Sequence, residues 1–187
     1  RFRFVTKFDD LASILPIRHE GKTEIRFSIN AAPIIKQFEH GTPSLKRRLQ
    51  AAQKVREAGY PVGFLVAPIM KFDNWQHEYS NMFQELRRVL GDSGSLSFEF
   101  ISHRFTQRAR SLIQTIFPHT KLDMDETNRR FKYGQFGYGK YLYPPETMAE
   151  FKEFFTKQAH ESSNQATVLY HVSRLTLSKY NSLPFDH

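Results

Sequence analysis

Segments with the two-residue period of a β-strand alternate along this sequence with segments that have a helical period. Strands are predicted over 1–8, 22–30, 61–70, 95–103 and 166–172. Helices long enough to cross back over a sheet lie between them, which predicts a parallel α/β fold. Since about five strands are too few to close an eight-stranded barrel, we expect an open sheet or a partial barrel.

The predicted helices are amphipathic and carry recognisable end signals. A helix that starts from Thr42 as N-cap, with Pro43 at its first position, ends at Gly59. Hydroxyl side chains at N-caps and glycines at helix ends satisfy the free backbone groups there. Three further helices are predicted, one ending at Gly91, one from the cap Thr106 to before Pro118, and one over 145–158.

The strand over 22–30 has one apolar and one polar face. Its polar row consists of Arg26, Ser28 and Asn30, and solvent exposure is the usual explanation of such a row. In parallel α/β folds, chemistry gathers at the carboxyl ends of the strands. These ends hold Lys7, Ser28 with Asn30, Ala67 with Pro68, and His103. If the polar faces line a lumen, these side chains converge, and if they face solvent, they are unrelated surface residues.

The chain is basic and contains no cysteine. Its 27 lysines and arginines exceed its 19 aspartates and glutamates, which favours an anionic partner such as nucleic acid. The lack of cysteine excludes disulfides, a cysteine nucleophile and thiolate-bound metal clusters within these residues. No apolar run reaches the roughly 18 residues of a membrane span, and the first residues lack a signal-peptide pattern. We therefore expect a cytoplasmic monomer.

One stretch, 128–141, combines four cationic side chains, five aromatic rings and three glycines. It predicts a β-hairpin at about 128–143. Cations neutralise phosphates and flat rings stack on bases, so the composition suits nucleic acid. An aromatic hairpin at a sheet edge with solvated charges explains it equally well.

Each of the other polar groups allows two interpretations. His103 with Glu99 forms an acid–base pair or is a structural histidine, and the structural role is favoured. An acidic group near the hairpin suggests surface ion pairs rather than a metal site, because its spacing matches no ligand motif. Five arginines contact phosphate or are solvated, and a phosphate contact is favoured only for Arg104. The acidic group with its histidine is His119, Asp123, Asp125 and Glu126, and the arginines are Arg47, Arg48, Arg104, Arg108 and Arg110.

Several short runs in the same order resemble the spore photoproduct lyase family of radical S-adenosylmethionine DNA repair enzymes. They include Arg3-Phe-Val-Thr-Lys-Phe8, Arg26-Phe-Ser-Ile-Asn30 and His103-Arg-Phe-Thr106, followed by the glycine-spaced segment 134–141. The resemblance spans roughly 3–143. It implies that 1–172 is the C-terminal part of a partial (β/α) barrel of the radical S-adenosylmethionine type with a protruding β-hairpin, and that 173–187 is a tail.

The resemblance also implies the cofactors. In the family, an N-terminal cysteine loop binds a 4Fe–4S cluster, and the cluster reduces S-adenosylmethionine. Neither that loop nor the family's hydrogen-donating cysteine is present here, so we expect a preceding segment and no catalysis by these residues alone. Lys7 and Ser28 match strand-end residues that contact S-adenosylmethionine, and Ala67 matches a main-chain contact.

The basic aromatic stretch resembles the family hairpin that enters DNA so that a thymine photoproduct can turn out of the duplex. Gln135-Phe136 stands where the family has an Arg-Tyr pair, which leaves another lesion open. A DNA-binding module without turnover is the second hypothesis, and a metal-dependent hydrolase is the third. The residues expected to contact DNA or the lesion are Arg129, Arg130, Gln135, Phe136, Tyr138 and Lys140.

Overall fold

The computed structural model describes residues 2–91, 94–134 and 139–170. Its strands are β1 Phe2–Thr6, β2 Thr23–Ile29, β3 Val62–Ile69, β4 Ser97–Ser102, β5 Arg130–Tyr133, β6 Gly139–Leu142 and β7 Thr167–Tyr170. Five of them form one sheet in the order β1-β2-β3-β4-β7, with every pairing parallel. The predicted parallel α/β fold is confirmed, and over the described residues the sheet is open. The tail predicted at 173–187 lies outside these residues.

Five helices connect or follow the strands: α1 Ala32–Phe38, α2 Leu45–Glu57, α3 Trp75–Leu90, α4 Gln107–Ile116 and α5 Pro145–Ser162. The predicted ends at Gly91 and Thr106 are confirmed. Gly91 follows α3 with φ +60°, and the Thr106 hydroxyl accepts a hydrogen bond from the Ala109 N–H at 3.1 Å. Among the helices of the described ranges, none has both the length and the apolar character of a membrane span.

The N-cap predicted for α2 is wrong. Ser44 occupies the cap position, and its hydroxyl accepts from the Arg47 N–H at 3.4 Å. The Thr42 hydroxyl instead donates to the Glu39 carbonyl at 2.7 Å. The intervening α1, which the sequence analysis did not predict, has only seven residues, and its end at Glu39 sets the position of Thr42.

The hydrophobic core lies between one face of the sheet and helices α2, α3 and α5. Alternate residues of the central strands point into it, as the two-residue period predicts. Aromatic rings from α3 and α5 close the core, with Phe155 at 5.1 Å from Phe100 and 4.9 Å from Tyr79, measured between ring centroids. The strand residues of this face are Ile25, Phe27, Ile29, Val62, Phe64, Val66, Phe98 and Phe100.

On β2 the face opposite the core is polar and buried, which overturns the expected solvent-facing row on this strand. Glu24, Arg26 and Ser28 have exposed fractions of only 3–4%, and Asn30 has none. The charges are paired: Glu24 accepts from Arg3 at 2.6 Å and from Arg26 at 3.2 Å, and Arg26 also bonds to Glu99. A pattern of alternation identifies two faces, but it does not say whether both are covered.

Close packing on this polar face requires Gly63. A Cβ atom at that position would lie 2.2 Å from the Ser97 Oγ and 2.8 Å from the Glu24 Oε1. The missing side chain therefore lets Ser97 donate a hydrogen bond to Glu24 across β3. Although burial by itself raises the pKa of Glu24, hydrogen bonds from Ser97, Arg3 and Arg26 hold it below its ordinary value.

Candidate functional site

The carboxyl ends of β1, β2 and β3 bring Lys7, Ser28 and Ala67 to one edge of the sheet. Thr6 pairs with Phe27 and Ser28 pairs with Leu65, so the strands end side by side. Because neighbouring residues of a strand alternate between faces, Ser28 and Ala67 lie on the polar face rather than in the core. The bond from Ala67 to Pro68 is cis. The strand ends thus lie side by side, and a shared cofactor site of Lys7, Ser28 and Ala67 stays a prediction.

Lys7 and the buried Arg48 share one carboxylate. The Lys7 Nζ lies 3.0 Å from the Glu39 Oε1, and the Arg48 Nη2 lies 2.7 Å from the Glu39 Oε2. Arg48 also donates to the Ser28 carbonyl at 3.0 Å and to the Pro43 carbonyl at 2.8 Å. Its side chain therefore fastens the ends of β2 and α1 to the beginning of α2.

This arrangement corrects the interpretation of Arg48 as a phosphate contact or a solvated charge. The Arg48 side chain is fully buried, whereas its neighbour Arg47 is largely exposed and pairs with Asp9. Two adjacent arginines on one helix point in different directions, and only the tertiary structure distinguishes them. Glu39, which holds both Lys7 and Arg48, was missed because it directly follows the unpredicted α1.

A cleft of about 1170 Å³ opens beside Lys7 and extends to α4. Pro68, Met70 and His103 border it from the ends of β3 and β4, and α1 forms one side. The other side comes from the end of α4 and the segment that follows. Its lining residues on these two sides include Ile34, Phe38, Ile113, Ile116, Phe117 and Leu122. The cleft therefore combines apolar walls with the charged side chains of Lys7, Lys36, Glu39 and Lys121.

The apolar residues of α4 face this cleft or solvent instead of the main core. Leu112, Ile116 and Phe117 have exposed fractions of 56–61%. The sequence predicted an apolar stripe on this helix, and the stripe is present, but no element of the described residues covers it. Among the arginines near this helix, Arg104 and Arg108 are exposed, whereas Arg110 pairs with Glu126 at 2.8 Å.

His103 is buried at the end of β4. Its N–H donates to the Ile69 carbonyl at 2.8 Å, and its carbonyl accepts from the Arg129 Nη1 at 3.3 Å. Burial, together with the Arg129 charge, lowers the pKa of His103 to about 4, with a small opposing effect of Asp123. The imidazole is therefore neutral at pH 7.

An acid–base pair of His103 with Glu99 does not fit these contacts. The Glu99 carboxylate bonds to Arg26 on the polar face of the sheet. The charged groups that act on His103 are Arg129 and Asp123, which come from the segment before the hairpin. His103 thus belongs to the cleft and Glu99 to the buried charge network.

The acidic residues before the hairpin form ion pairs and local turns, as favoured from the sequence. Asp123 pairs with Arg129 at 3.0 Å, and Glu126 pairs with Arg110 at 2.8 Å. Asp125 accepts from the Thr127 N–H at 2.9 Å, and this hydrogen bond lowers its pKa. His119 lines the cleft.

The hairpin predicted at about 128–143 is present as the antiparallel pair of β5 and β6, in which Arg130 faces Leu142. Its base is joined to the sheet by Phe105. The Phe105 N–H donates to the Tyr141 carbonyl at 3.2 Å, and the Tyr141 N–H donates back at 2.8 Å. The two rings stack with centroids 5.2 Å apart. The hairpin thus starts from the strand end that carries His103.

Aromatic rings crowd one side of the hairpin. Phe131 contacts Tyr133 and Tyr141 edge to face, each at 5.0 Å, and its ring also covers Gly139. A Cβ atom on Gly139 would lie 1.8 Å from the Phe131 ring, so any larger residue there would require this ring to move. Tyr133 remains 77% exposed and Phe131 43% exposed. The hairpin therefore presents rings to solvent beside its cations.

Arg129 does not fit its predicted contact with DNA. Its side chain is fully buried, and its guanidinium lies 3.6 Å from the centroid of Tyr143 and 5.7 Å from that of Phe105. It is further held by Asp123 and the His103 carbonyl. Arg129 therefore anchors the base of the hairpin to the sheet.

Two of the other residues predicted to contact DNA lie on the strands of the hairpin. Arg130 and Lys140 are exposed on the hairpin strands, where a polyanion can reach them. Gln135, Phe136 and Tyr138 lie outside the described residues.

Comparison with known proteins gives a consistent result. The family model for spore photoproduct lyase matches residues 1–172. The spore photoproduct lyase of Clostridium acetobutylicum is 46% identical over 170 residues, which are 91% of this chain and 50% of that protein. The Bacillus subtilis enzyme is 47% identical over 145 residues, covering 76% of this chain and 42% of that protein. The chain thus spans about half the length of these relatives.

Solved structures agree with the sequence relatives. A spore photoproduct lyase complexed with dinucleoside spore photoproduct has a TM-score of 0.87 and 44% identity, with 91% of this chain and 51% of that chain covered. A mutant lyase with bound AdoMet and dinucleoside spore photoproduct has a TM-score of 0.86 and 45% identity, with 90% and 50% covered. From its sequence and its fold, this chain belongs to the spore photoproduct lyase family.

Proposed function

We propose that this chain is the C-terminal part of a radical S-adenosylmethionine lyase that repairs the spore photoproduct in DNA by reversal to two thymines. The observation that carries the proposal is that the candidate cofactor site and the hairpin both lie at the carboxyl ends of the strands. Lys7 and Pro68, the neighbour of Ala67 at the end of β3, border a cleft, and the hairpin is anchored on His103 and Phe105 beside the same cleft. A reactive cofactor and a DNA-opening element are needed together for this repair.

Lys7, Ser28 and Ala67 would hold S-adenosylmethionine. The donor set fits, since an ammonium pairs with a carboxylate and a hydroxyl bonds to an amino or ribose group. The Lys7 side chain is 37% exposed, and its partner Glu39 keeps a second cation in Arg48 when Lys7 turns to a ligand. When bound, S-adenosylmethionine supplies the radical chemistry of the family.

The 4Fe–4S cluster does not fit these residues, because the sequence contains no cysteine. Its ligands would come from a part of the protein that precedes this chain. We therefore expect residues 1–187 alone to be inactive, with 1–172 completing a partial (β/α) barrel and 173–187 as a tail. We expect the protein to act on DNA as a cytoplasmic monomer.

The hairpin would supply the contact with duplex DNA. Arg130 and Lys140 would neutralise phosphates, while the exposed rings of Phe131 and Tyr133 would stack on bases. We assign the lesion contact to Gln135, Phe136 and Tyr138 by the resemblance. The Gln135-Phe136 pair lacks the charge and the hydroxyl of the family's Arg-Tyr pair, which favours a second candidate function. In that alternative the chain binds DNA but acts on another lesion or without turnover.

The test uses the full-length protein, reconstituted without oxygen and supplied with a low-potential reductant, S-adenosylmethionine and the dinucleoside spore photoproduct. We expect thymine-containing product by mass spectrometry. Lys7→Met should weaken S-adenosylmethionine binding about tenfold, because a charge-assisted contact is lost. Lys46→Met, at an exposed position of α2, is the matched control and should bind within about twofold of wild type.

Two other outcomes have distinct meanings. DNA binding without cleavage of S-adenosylmethionine would support the binding module and reject the lyase. Equal binding by the Lys7→Met and Lys46→Met variants would remove Lys7 from the cofactor site.

A further inference from the structure

His103 is a buried residue whose ring packs 5.8 Å from the Phe105 ring, measured between centroids, while its ring nitrogens have no hydrogen-bond partner among the described residues. The residue is 8% exposed, and its backbone N–H and carbonyl are both occupied, by Ile69 and Arg129. Within the described ranges, no hydrogen bond joins either ring nitrogen to a protein group. The ring nitrogens are not among the fully buried side-chain atoms that lack a partner in the described part of the chain, and His103 lines the cleft, so they can accept a partner from outside the fold.

The apolar part of the cleft suits a flat and uncharged group, while Lys7, Lys36, Glu39 and Lys121 supply charges elsewhere in its lining. Apolar side chains form much of its walls, among them Met70, Ile116 and Phe117. The buried imidazole is neutral at pH 7, so it offers one N–H donor and one nitrogen acceptor. A carboxylate would find a better partner in Lys7, which borders the same cleft.

We propose that His103 binds the substrate directly, by a hydrogen bond from its imidazole to the polar edge of a pyrimidine base held between the apolar walls of the cleft. A pyrimidine has carbonyl and N–H groups on its edge and two apolar faces, which matches this combination of groups. The proposal rests on the proposed function and names a substrate contact for it.

The connection to the hairpin supports this assignment. Arg129 at the base of the hairpin holds the His103 carbonyl, and Phe105, two residues on, pairs with Tyr141 of β6. The hairpin that would displace a base from a duplex is therefore anchored on the segment that carries His103. Rigid attachment keeps the imidazole in place for such a base, so no side chain has to be ordered on binding.

The experiment compares His103→Phe with His103→Gln in the full-length protein. Phenylalanine keeps a flat ring and removes the hydrogen bond, whereas glutamine keeps a donor and an acceptor. Affinities for the dinucleoside spore photoproduct and for S-adenosylmethionine are measured separately by titration calorimetry. We expect His103→Phe to weaken dinucleoside binding about tenfold and His103→Gln to stay within about threefold of wild type. Binding of S-adenosylmethionine should be unchanged in both.

Two results would overturn the inference. Unchanged dinucleoside binding in His103→Phe would show that the ring does not contact the base. Parallel losses for both ligands in both variants would show a structural role. Product formation by the wild-type protein distinguishes the failure of this contact from the failure of the proposed function. If the wild type repairs the lesion and His103→Phe binds the dinucleoside as tightly as the wild type does, only the His103 contact is rejected. A wild type that neither binds nor repairs the lesion rejects both.

Discussion

Both faces of the five-stranded sheet carry buried side chains, but those side chains are of opposite chemistry. Phe64 and Phe98 on the helix-covered face are fully buried, and Glu24 and Arg26 on the other face are 3% exposed. Buried apolar side chains stabilise the fold in proportion to the area they bury, whereas buried charges require partners to offset their desolvation. The first face therefore holds the domain together, and the second carries the polar groups near the candidate site.

The largest effect is expected on the apolar face, from Phe155→Ala. Phe155 is fully buried among Tyr79, Phe100 and Phe151, so truncation leaves a cavity and should lower the free energy of unfolding by about 3–5 kcal/mol. Phe117→Ala is the control, because Phe117 is 61% exposed and should change the free energy by less than about 1 kcal/mol. Urea unfolding measures both. Similar losses at the two positions would mean that α4 is covered as well as the core.

The next effect concerns the polar side and depends on pH. Because the pKa of His103 is lowered from 6.5 to about 4, the unfolded chain binds the proton more readily than the folded one. Stability from this group is complete above about pH 6.5 and is lost as pH falls towards 4, by on the order of 3 kcal/mol. Unfolding of wild type and His103→Gln between pH 7 and 4 isolates the contribution. A constant difference between the two proteins over this range would refute it.

The smallest of the three effects is expected at Gly63 on the polar face. An alanine there meets Ser97 and Glu24, and this overpacking should cost about 1–3 kcal/mol of unfolding free energy. Ser97→Ala removes the closest atom, so the double variant should be more stable than the sum of the single changes predicts. Thermal or urea unfolding of all four proteins completes the cycle. If the effects of Gly63→Ala and Ser97→Ala on the unfolding free energy were strictly additive, contact with Ser97 would not be the source of the strain.

Much of the fold could be predicted because its signals are local. The apolar run at 61–70 predicted the buried parallel strand β3, and the cap Thr106 and the stop Gly91 marked the helix ends where they occur. The short α1 and the true cap Ser44 were missed, since a seven-residue helix contains few periodic positions. The hairpin was predicted from composition, and its two strands lie within the expected range.

The candidate site was predicted less completely because its contacts join distant parts of the chain. Arg48 and Arg129 both appeared to be surface cations, yet one pairs with Glu39 under α2 and the other lies on the ring of Tyr143. Nothing in the neighbouring sequence distinguishes them from the exposed Arg47 and Arg130. Their burial follows only from the packing of helices and hairpin on the ends of the strands.

By itself, the sequence determined the order of strands and helices, the absence of cysteine chemistry, and the positions of Lys7, Ser28 and Ala67 at strand ends. These properties follow from periodicity, composition and local end signals, which act over a few residues. The tertiary structure decided that the polar face of β2 is covered, that Arg129 anchors the hairpin, and that His103 is neutral beside an apolar cleft. Burial and pKa depend on which distant groups come together, and no local pattern encodes that.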